Sequence, residues 1–189
     1  MNRLKQLIAA FAAVGLIASA APAAAESVLR VRPFGDLKQI DPVITSDYMV
    51  RNHGYMVYDT LFALDEAMQI KPQMLERWQV NPDGLVYTFV LRDKLAFHNG
   101  TPVGAADVVA SLERWGKRDG LGQQLMGLTK SLVGSDVRTV SLTLTQPWGL
   151  VLEALGKPSS NVPFIMPASI ARTPADTAIT DATGSGPFI

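Results

Sequence analysis

Two histidines, His53 and His98, are the only imidazoles in this chain, and there is no cysteine. The absence of thiols excludes disulfides, thiolate nucleophiles and the cysteine-ligated zinc sites. The histidines are far apart in sequence and have no carboxylates at metal-ligand spacing, so they make a poor metal constellation. No Gly-x-Ser-x-Gly elbow is present to expose a nucleophilic serine. Gly184-x-Gly186 lacks the third glycine and the following helix of a dinucleotide loop. Asn99-x-Thr101 has the pattern of a glycosylation acceptor, a chance match behind the bacterial-type leader described below. His98 lies in a turn, where a lone ring nitrogen ordinarily satisfies backbone groups. His53 falls on an expected helix, either partly buried or lining a cleft. These residues predict neither a catalytic centre nor a cofactor nor a metal site; they predict a binding or structural role.

The elements that would position such residues are well marked between Leu75 and Arg114. Asp83-Gly84 is a tight-turn dipeptide whose glycine takes φ > 0 without penalty. Val86 to Leu91 is rich in β-branched and aromatic residues and reads as a strand. Asn99-Gly100 followed by Pro102 is a second turn. From Ala105, the residues Ala105, Val108, Val109 and Leu112 fall at i, i+3, i+4 and i+7, one face of a helix. Asp107 belongs in its first turn, where the macrodipole favours a negative charge. Trp78, Tyr87, Phe89 and Trp115 are assigned to the core, and Arg92 and Glu113 to a solvated or ion-paired face.

Elsewhere, Val28–Arg32 reads as a strand closed by Pro33, and 36–47, with Asp41-Pro42, as a loop. A helix is expected over 47–62, capped by Ser46 or Asp47. Thr60-Leu61-Phe62 leads into a hairpin whose return strand is Gln69–Lys71, and Pro72–Trp78 is read as a helical turn. The stretch 116–134 is Gly-rich with an amphipathic middle, Leu121–Leu132. Val137–Leu144 alternates as a half-buried strand, 150–155 is a short apolar helix, and 157–163 is a loop. Phe164-Ile165-Met166 and a helical turn after Pro167 follow. Strands interleaved with helices predict an α/β class, an α+β mixed sheet.

The same signature closely resembles that of the family 5 bacterial extracellular solute-binding proteins, receptors of ABC importers for dipeptides, oligopeptides and nickel. The matching residues are Trp78, Asp83-Gly84, Tyr87-Thr88-Phe89-x-Leu91-Arg92, Phe97-His98-x-Gly100-x-Pro102 and Ala106-Asp107-Val108-x-x-Ser111. Asp93-Lys94 and Gly104 depart from the pattern without threatening it, since glycine is an acceptable if weaker N-cap. The resemblance implies a two-lobed periplasmic-binding-protein-like fold of the class II, cluster C type. It further implies peptide cargo, a permease partner and a non-catalytic mechanism. Nickel chelate, haem, opine or sugar cargo on the same scaffold, and a non-transporting remnant, stay open as alternatives.

Carried over from the family, Thr45, Ser46, Asp47 and Tyr48 lie at the mouth of the cleft. Thr45, Ser46 and Asp47 serve equally well as helix caps. Ser159, Ser160 and Asn161 form a second candidate wall. The charged residue with which family receptors hold a peptide's amino end comes from the other lobe.

Residues 1–25 read as a signal peptide: Arg3 and Lys5 form a basic n-region, Leu7–Ala18 an apolar h-region, and Ala23-Ala24-Ala25 a cleavage site. The apolar run is shorter than the roughly 20 residues that span a bilayer, and no Arg-Arg pair suggests the twin-arginine route. The expected product is periplasmic, monomeric and without a membrane anchor. Removing Arg3 and Lys5 from 17 basic residues leaves 15 against 17 acidic, a net charge of −2. That balance offers no basic footprint for nucleic acid. Gly184-Ser185-Gly186-Pro187-Phe188 resembles a family segment that leads onward, so 26–189 is expected to be the amino-terminal part of lobe I. With 48% hydrophobic residues, the core needs no staple.

Overall fold

The computed structural model describes residues 30–189; the expected leader and the first residues of the expected first strand, Val28 and Leu29, lie outside them. Gly35–Ile189 forms one compact unit. Among the described residues Arg30–Pro33 pairs with no strand and has no regular structure, so the described part of the strand expected over Val28–Arg32 is not a strand.

The local signals of the signature act as read. Asn81 closes the first turn: its carbonyl accepts from Gly84 N at 2.9 Å, and its Oδ1 accepts from Leu85 N and Val86 N at 2.9 and 3.0 Å. Gly84 takes φ +69° there, and Gly100 φ +81° in the second turn. Strand β5 follows the first turn as Val86–Leu91. Helix α2 follows the second as Ala105–Trp115, with Asp107 Oδ2 accepting from Gly104 N at 2.8 Å in place of a cap side chain.

Before β5, helix α1 spans Tyr48–Val57, shorter than the expected 47–62. It stops because Tyr58 is extended and Thr60 already pairs with Phe164 in a two-stranded ladder, β1 (Asp59–Thr60) against β8 (Phe164–Ile165). Strands β2 (Phe62–Leu64) and β3 (Ile70–Pro72) form the expected hairpin. The helical turn expected over Pro72–Trp78 is instead strand β4, Leu75–Val80. Its partner decides: Trp78 lies opposite Phe89, and Val80 opposite Tyr87. Cross-strand aromatic pairing of this kind overrides weak helical preference.

Beyond α2, the stretch expected to be one amphipathic segment divides in two. Helix α3 spans Gly120–Leu128, capped by Asp119 Oδ1 accepting from Gly122 N at 2.9 Å. Strand β6 is Thr129–Gly134 and returns through a short turn as β7, Thr139–Leu144. Helix α4 covers Val151–Gly156 and α5 covers Ala168–Ala171. Among the described residues, β4, β5, β7 and β6 lie in that order in one antiparallel sheet.

Helix α2 is the centre of the unit and is buried on two faces. Val108, Leu112 and Trp115, each no more than 1% exposed, join Phe89, Leu91, Val140, Leu142 and Leu144 of the sheet. Ala110 belongs to a second cluster with Val43, Tyr58, Phe164, Met166 and Ile179. Of the aromatic residues assigned to the core, Trp78 is only half-buried, set edge-on to Phe62 at 5.9 Å.

Candidate ligand-binding face

On its second face α2 holds loops with polar side chains. Asp107 Oδ1 accepts from Ala168 N at 2.7 Å. The Ser111 hydroxyl accepts from Met166 N at 2.9 Å and donates to Met166 O at 3.2 Å. Arg114 pairs with Asp41 through two bonds of 3.1 and 2.7 Å, with both side chains no more than 2% exposed. The guanidinium also donates to Thr173 O and Thr177 O, each at 2.9 Å. Asp41 completes its shell with Val43 N and Ile179 N, both at 2.9 Å. Burial pushes the Asp41 carboxyl up. The Arg114 bond, the two backbone donors and the guanidinium charge outweigh that, and the carboxyl sits below its usual 3.8. A buried pair is stable only when its remaining donors and acceptors are satisfied, as they are here.

Three segments are thereby fixed around Arg114: 41–43, 173–179 and the helix itself. Asn161 adds a fourth. Its Nδ2 donates to Pro42 O at 2.9 Å and Val43 O at 3.1 Å, while its own carbonyl accepts from Trp115 Nε1 at 2.8 Å. Arg118 reaches Ile44 O at 3.2 Å. Lys157 pairs with the buried Asp119 at the foot of the same loop.

This framework links the two candidate segments through Asn161, which binds the chain two and three residues before Thr45. Their side chains differ in availability. Asp47 caps α1, its Oδ1 accepting from Met49 N at 2.7 Å and Val50 N at 3.4 Å. Thr45 Oγ1 accepts from Asp47 N at 3.1 Å. Asn161 is committed to the backbone through its amide nitrogen. Ser46, Ser159 and Ser160 are exposed, and Ser160 takes φ +58°. Tyr48 is 60% exposed, with the Arg51 guanidinium 4.3 Å from its ring centre. Free polar groups on this face are therefore three hydroxyls and a cation-stacked phenol, well suited to hydrogen bonding and unsuited to covalent chemistry.

His98 does what a turn histidine was expected to do. Its backbone N–H donates to Gly184 O at 2.8 Å, and Nε2 lies 2.9 Å from Gly186 O. Gly184 N also lies 3.4 Å from Nδ1. Ser185 donates to Asp59 Oδ2 at 2.9 Å, and Gln73 donates to Asp59 Oδ1 at 2.8 Å. Gly186 N and Phe188 N donate to Val57 O and Met56 O at 2.8 and 2.9 Å. A Cβ on Gly184 or Gly186 would come within 2.7 Å of the Val57 carbonyl carbon, which is why glycine stands at both. His53 is half-buried on α1, and burial lowers its pKa. Among the described residues no group of three or more His, Asp or Glu could hold a metal ion.

Asp41 and Arg114 escaped the sequence reading. One signal was available: Ala110, Ser111 and Arg114 share a helix face opposite Val108 and Leu112, and two small residues beside an arginine mark a face that is covered. Nothing in the sequence identified Asp41 as the covering partner.

With this geometry in hand, the relatives decide the family. The model of the bacterial extracellular solute-binding proteins, family 5, matches residues 69–189. This chain belongs to that family. It is 38% identical over 180 residues to "Probable peptide ABC transporter periplasmic-binding protein y4tO" of Sinorhizobium fredii, covering 95% of this chain and 33% of that one. It is 31% identical over 188 residues to the glutathione-binding protein GsiB of Escherichia coli, covering 96% and 35%. The periplasmic binding protein AgaA of A. tumefacien R10, solved with agropinic acid, superposes with a TM-score of 0.66 at 30% identity, over 81% of this chain and 31% of that one. The family 5 chain thus has a periplasmic-binding-protein fold and spans about a third of the length of these relatives.

Proposed function

We propose that this chain is the amino-terminal part of lobe I of a periplasmic receptor that binds a peptide or peptide-like solute for an ABC importer. The observation that supports the proposal is that Asn161 bonds to Pro42 and Val43, just before segment 45–48, while the Asp41–Arg114 pair holds the start of the same stretch. A cleft wall needs a few converging polar groups on a fixed scaffold. Ser46, Ser159, Ser160 and the Tyr48 phenol provide them, and Thr45 and Asp47 shape the approach. A second lobe closes over the ligand by a hinge, and the closed form docks on the permease. The mature receptor is monomeric and soluble in the periplasm after removal of residues 1–25. No helix among the described residues is long and apolar enough to cross a membrane.

Peptide cargo is favoured by the names of the two relatives at 38% and 31% identity. Opine cargo is the second reading, favoured by the 30% identity to AgaA. Calorimetric titration of glutathione, trialanine and agropinic acid tests both. This chain alone is expected to give no measurable heat, whereas a form extended to the relatives' length binds one cargo class. Micromolar binding of trialanine to residues 26–189 would refute the division of the cleft between two lobes.

A further inference from the structure

Asn99 is the one asparagine of the chain that precedes a glycine; Asn2, Asn52, Asn81 and Asn161 precede Arg3, His53, Pro82 and Val162. The pair is chemically reactive. When the Gly100 amide gives its proton to a solvent base, its nitrogen can attack the Asn99 side-chain carbonyl carbon, because glycine has no Cβ to obstruct the approach. The adduct expels the side-chain nitrogen as ammonia, which recovers that proton, and a five-membered imide joins the two residues. Water then opens the imide. Cleavage between the Gly100 nitrogen and Cγ leaves an aspartate on a normal main chain. Cleavage between that nitrogen and the main-chain carbonyl leaves an isoaspartate, whose main chain runs through Cβ and Cγ. The sequence of steps consumes water, releases ammonia and needs no oxidant or reductant.

In the folded chain both reacting groups are tied down. Phe97 N donates to Thr101 O at 2.9 Å, and Ala96 pairs with Pro102, so 97–101 is a closed loop. Gly100, at φ +81°, is the left-handed residue such a loop requires. Its N–H donates to Phe97 O at 2.8 Å, so the proton that must leave is held inside the loop. Asn99 Oδ1 accepts from Thr101 N at 3.0 Å and from Thr101 Oγ1 at 2.7 Å, which turns the carboxamide toward Thr101. Those two donors also polarise the carbonyl toward attack, but polarisation is idle while the attacking nitrogen keeps its proton in a hydrogen bond. Beside the pair, His98 fastens the loop to the returning segment through Gly184 O at 2.8 Å and Gly186 O at 2.9 Å.

We propose that Asn99-Gly100 is a site of self-modification by deamidation, gated by the 97–101 loop: the closed loop protects the pair, and each opening exposes it. The isoaspartate product carries an extra carbon in the main chain, so the loop cannot remake its bonds and His98 loses its hold on Gly184 and Gly186. The site is separate from the face formed by 45–48 and 159–161 and does not depend on the cargo-binding proposal.

The test follows Asn99 in the full chain and in a synthetic peptide of residues 95–103, in the same mildly alkaline buffer. Mass spectrometry of the proteolytic fragment that contains Asn99 reads ammonia loss, and chromatographic retention separates isoaspartate from aspartate. A gated site reacts at the peptide's rate multiplied by the fraction of time the loop is open. Conversion in the folded chain is expected to be at least about tenfold slower than in the peptide, since several bonds must open together. Hydrogen exchange at the Gly100 amide should be slowed by the same factor, because both processes need the same N–H free. Thr101→Val removes the hydroxyl bond and should speed conversion of the folded chain about two- to tenfold, with little effect in the peptide. Thr101→Ser keeps the hydroxyl and should stay slow; urea midpoints check that both variants remain folded. Conversion of the folded chain at the peptide's rate would overturn the inference, as would no conversion in the peptide. Slower conversion in Thr101→Val would also overturn it, by making Thr101 a promoter of the attack. In the purified isoaspartate form, exchange at the Gly186 and Phe188 amides should rise, and unchanged exchange there would refute the link to the returning segment.

Discussion

The two faces of α2 are held in different ways. Toward the sheet, Val108, Leu112 and Trp115 meet Phe89, Val140 and Leu142 in an apolar interface. Toward the loops, Asp107, Ser111 and Arg114 grip the Asp41 carboxylate and backbone groups of Met166, Ala168, Thr173 and Thr177. Packing tolerates substitutions that conserve volume. A buried polar network does not, because losing one member leaves the others unsatisfied. The apolar face therefore anchors the helix, and the polar face fixes irregular chain in one conformation. Irregular chain is where the proposed binding residues lie, apart from Tyr48 at the start of α1.

The largest effects should come from breaking each face once. Arg114→Ala should cost about 3–5 kcal/mol in urea unfolding, since it strands the Asp41 carboxylate in the interior. Arg114→Met should cost clearly less only when combined with Asp41→Leu, which removes the stranded charge. Leu142→Ala on the other face should cost about 2–5 kcal/mol, and there Leu142→Met should recover most of it. Recovery by a volume-conserving change on both faces would erase the distinction.

Acid should separate the faces more gently. Asp41's carboxyl is held below 3.8, so its contribution is complete above that value and fades as pH falls through Asp41's own lower value. Asp59 runs the opposite way. Burial raises its carboxyl, and the Ser185 bond and the charges of Arg92 and His98 offset this only in part. Ionising Asp59 therefore costs the folded state some stability as pH rises above 3.8. Urea midpoints from pH 3 to 6 should show Arg114→Met/Asp41→Leu losing the acid-side decline and Asp59→Asn losing the rise in cost. At the α1 terminus, Asp47→Ala should cost roughly 1 kcal/mol, the worth of an N-cap. The smallest effect is expected at Ser159→Ala and Ser160→Ala, within about 0.5 kcal/mol; a larger loss would assign those hydroxyls to the framework and not to a ligand.

Legibility followed the same division. Turns at Asp83-Gly84 and Asn99-Gly100, strand β5 and helix α2 were readable because their determinants are neighbours in sequence. The β4 strand was not, since what makes Leu75–Val80 extended is β5 lying beside it. Helix α3 and β6 merged into one amphipathic stretch because Asp119 was not recognised as a cap and Thr129 not as the start of a strand. At the candidate site, Thr45, Ser46, Tyr48, Ser159 and Ser160 were placed by family resemblance. Asp47 as the cap of α1 was readable in the sequence, whereas the main role of Asn161, holding the backbone of 42–43, depends on bonds that only the folded chain makes. Asp41 and Arg114 are 73 residues apart, beyond any local pattern.

The crossing of Gly184 and Gly186 over the end of α1 leaves no volume for even a methyl group. In a saturation library of this chain, those two positions should read as blank columns in which every alternative is lost, alanine included. Pro187 and Ser185 beside them should keep a partial spectrum, so the signature of this corner would be an alternating bar code written by steric exclusion alone.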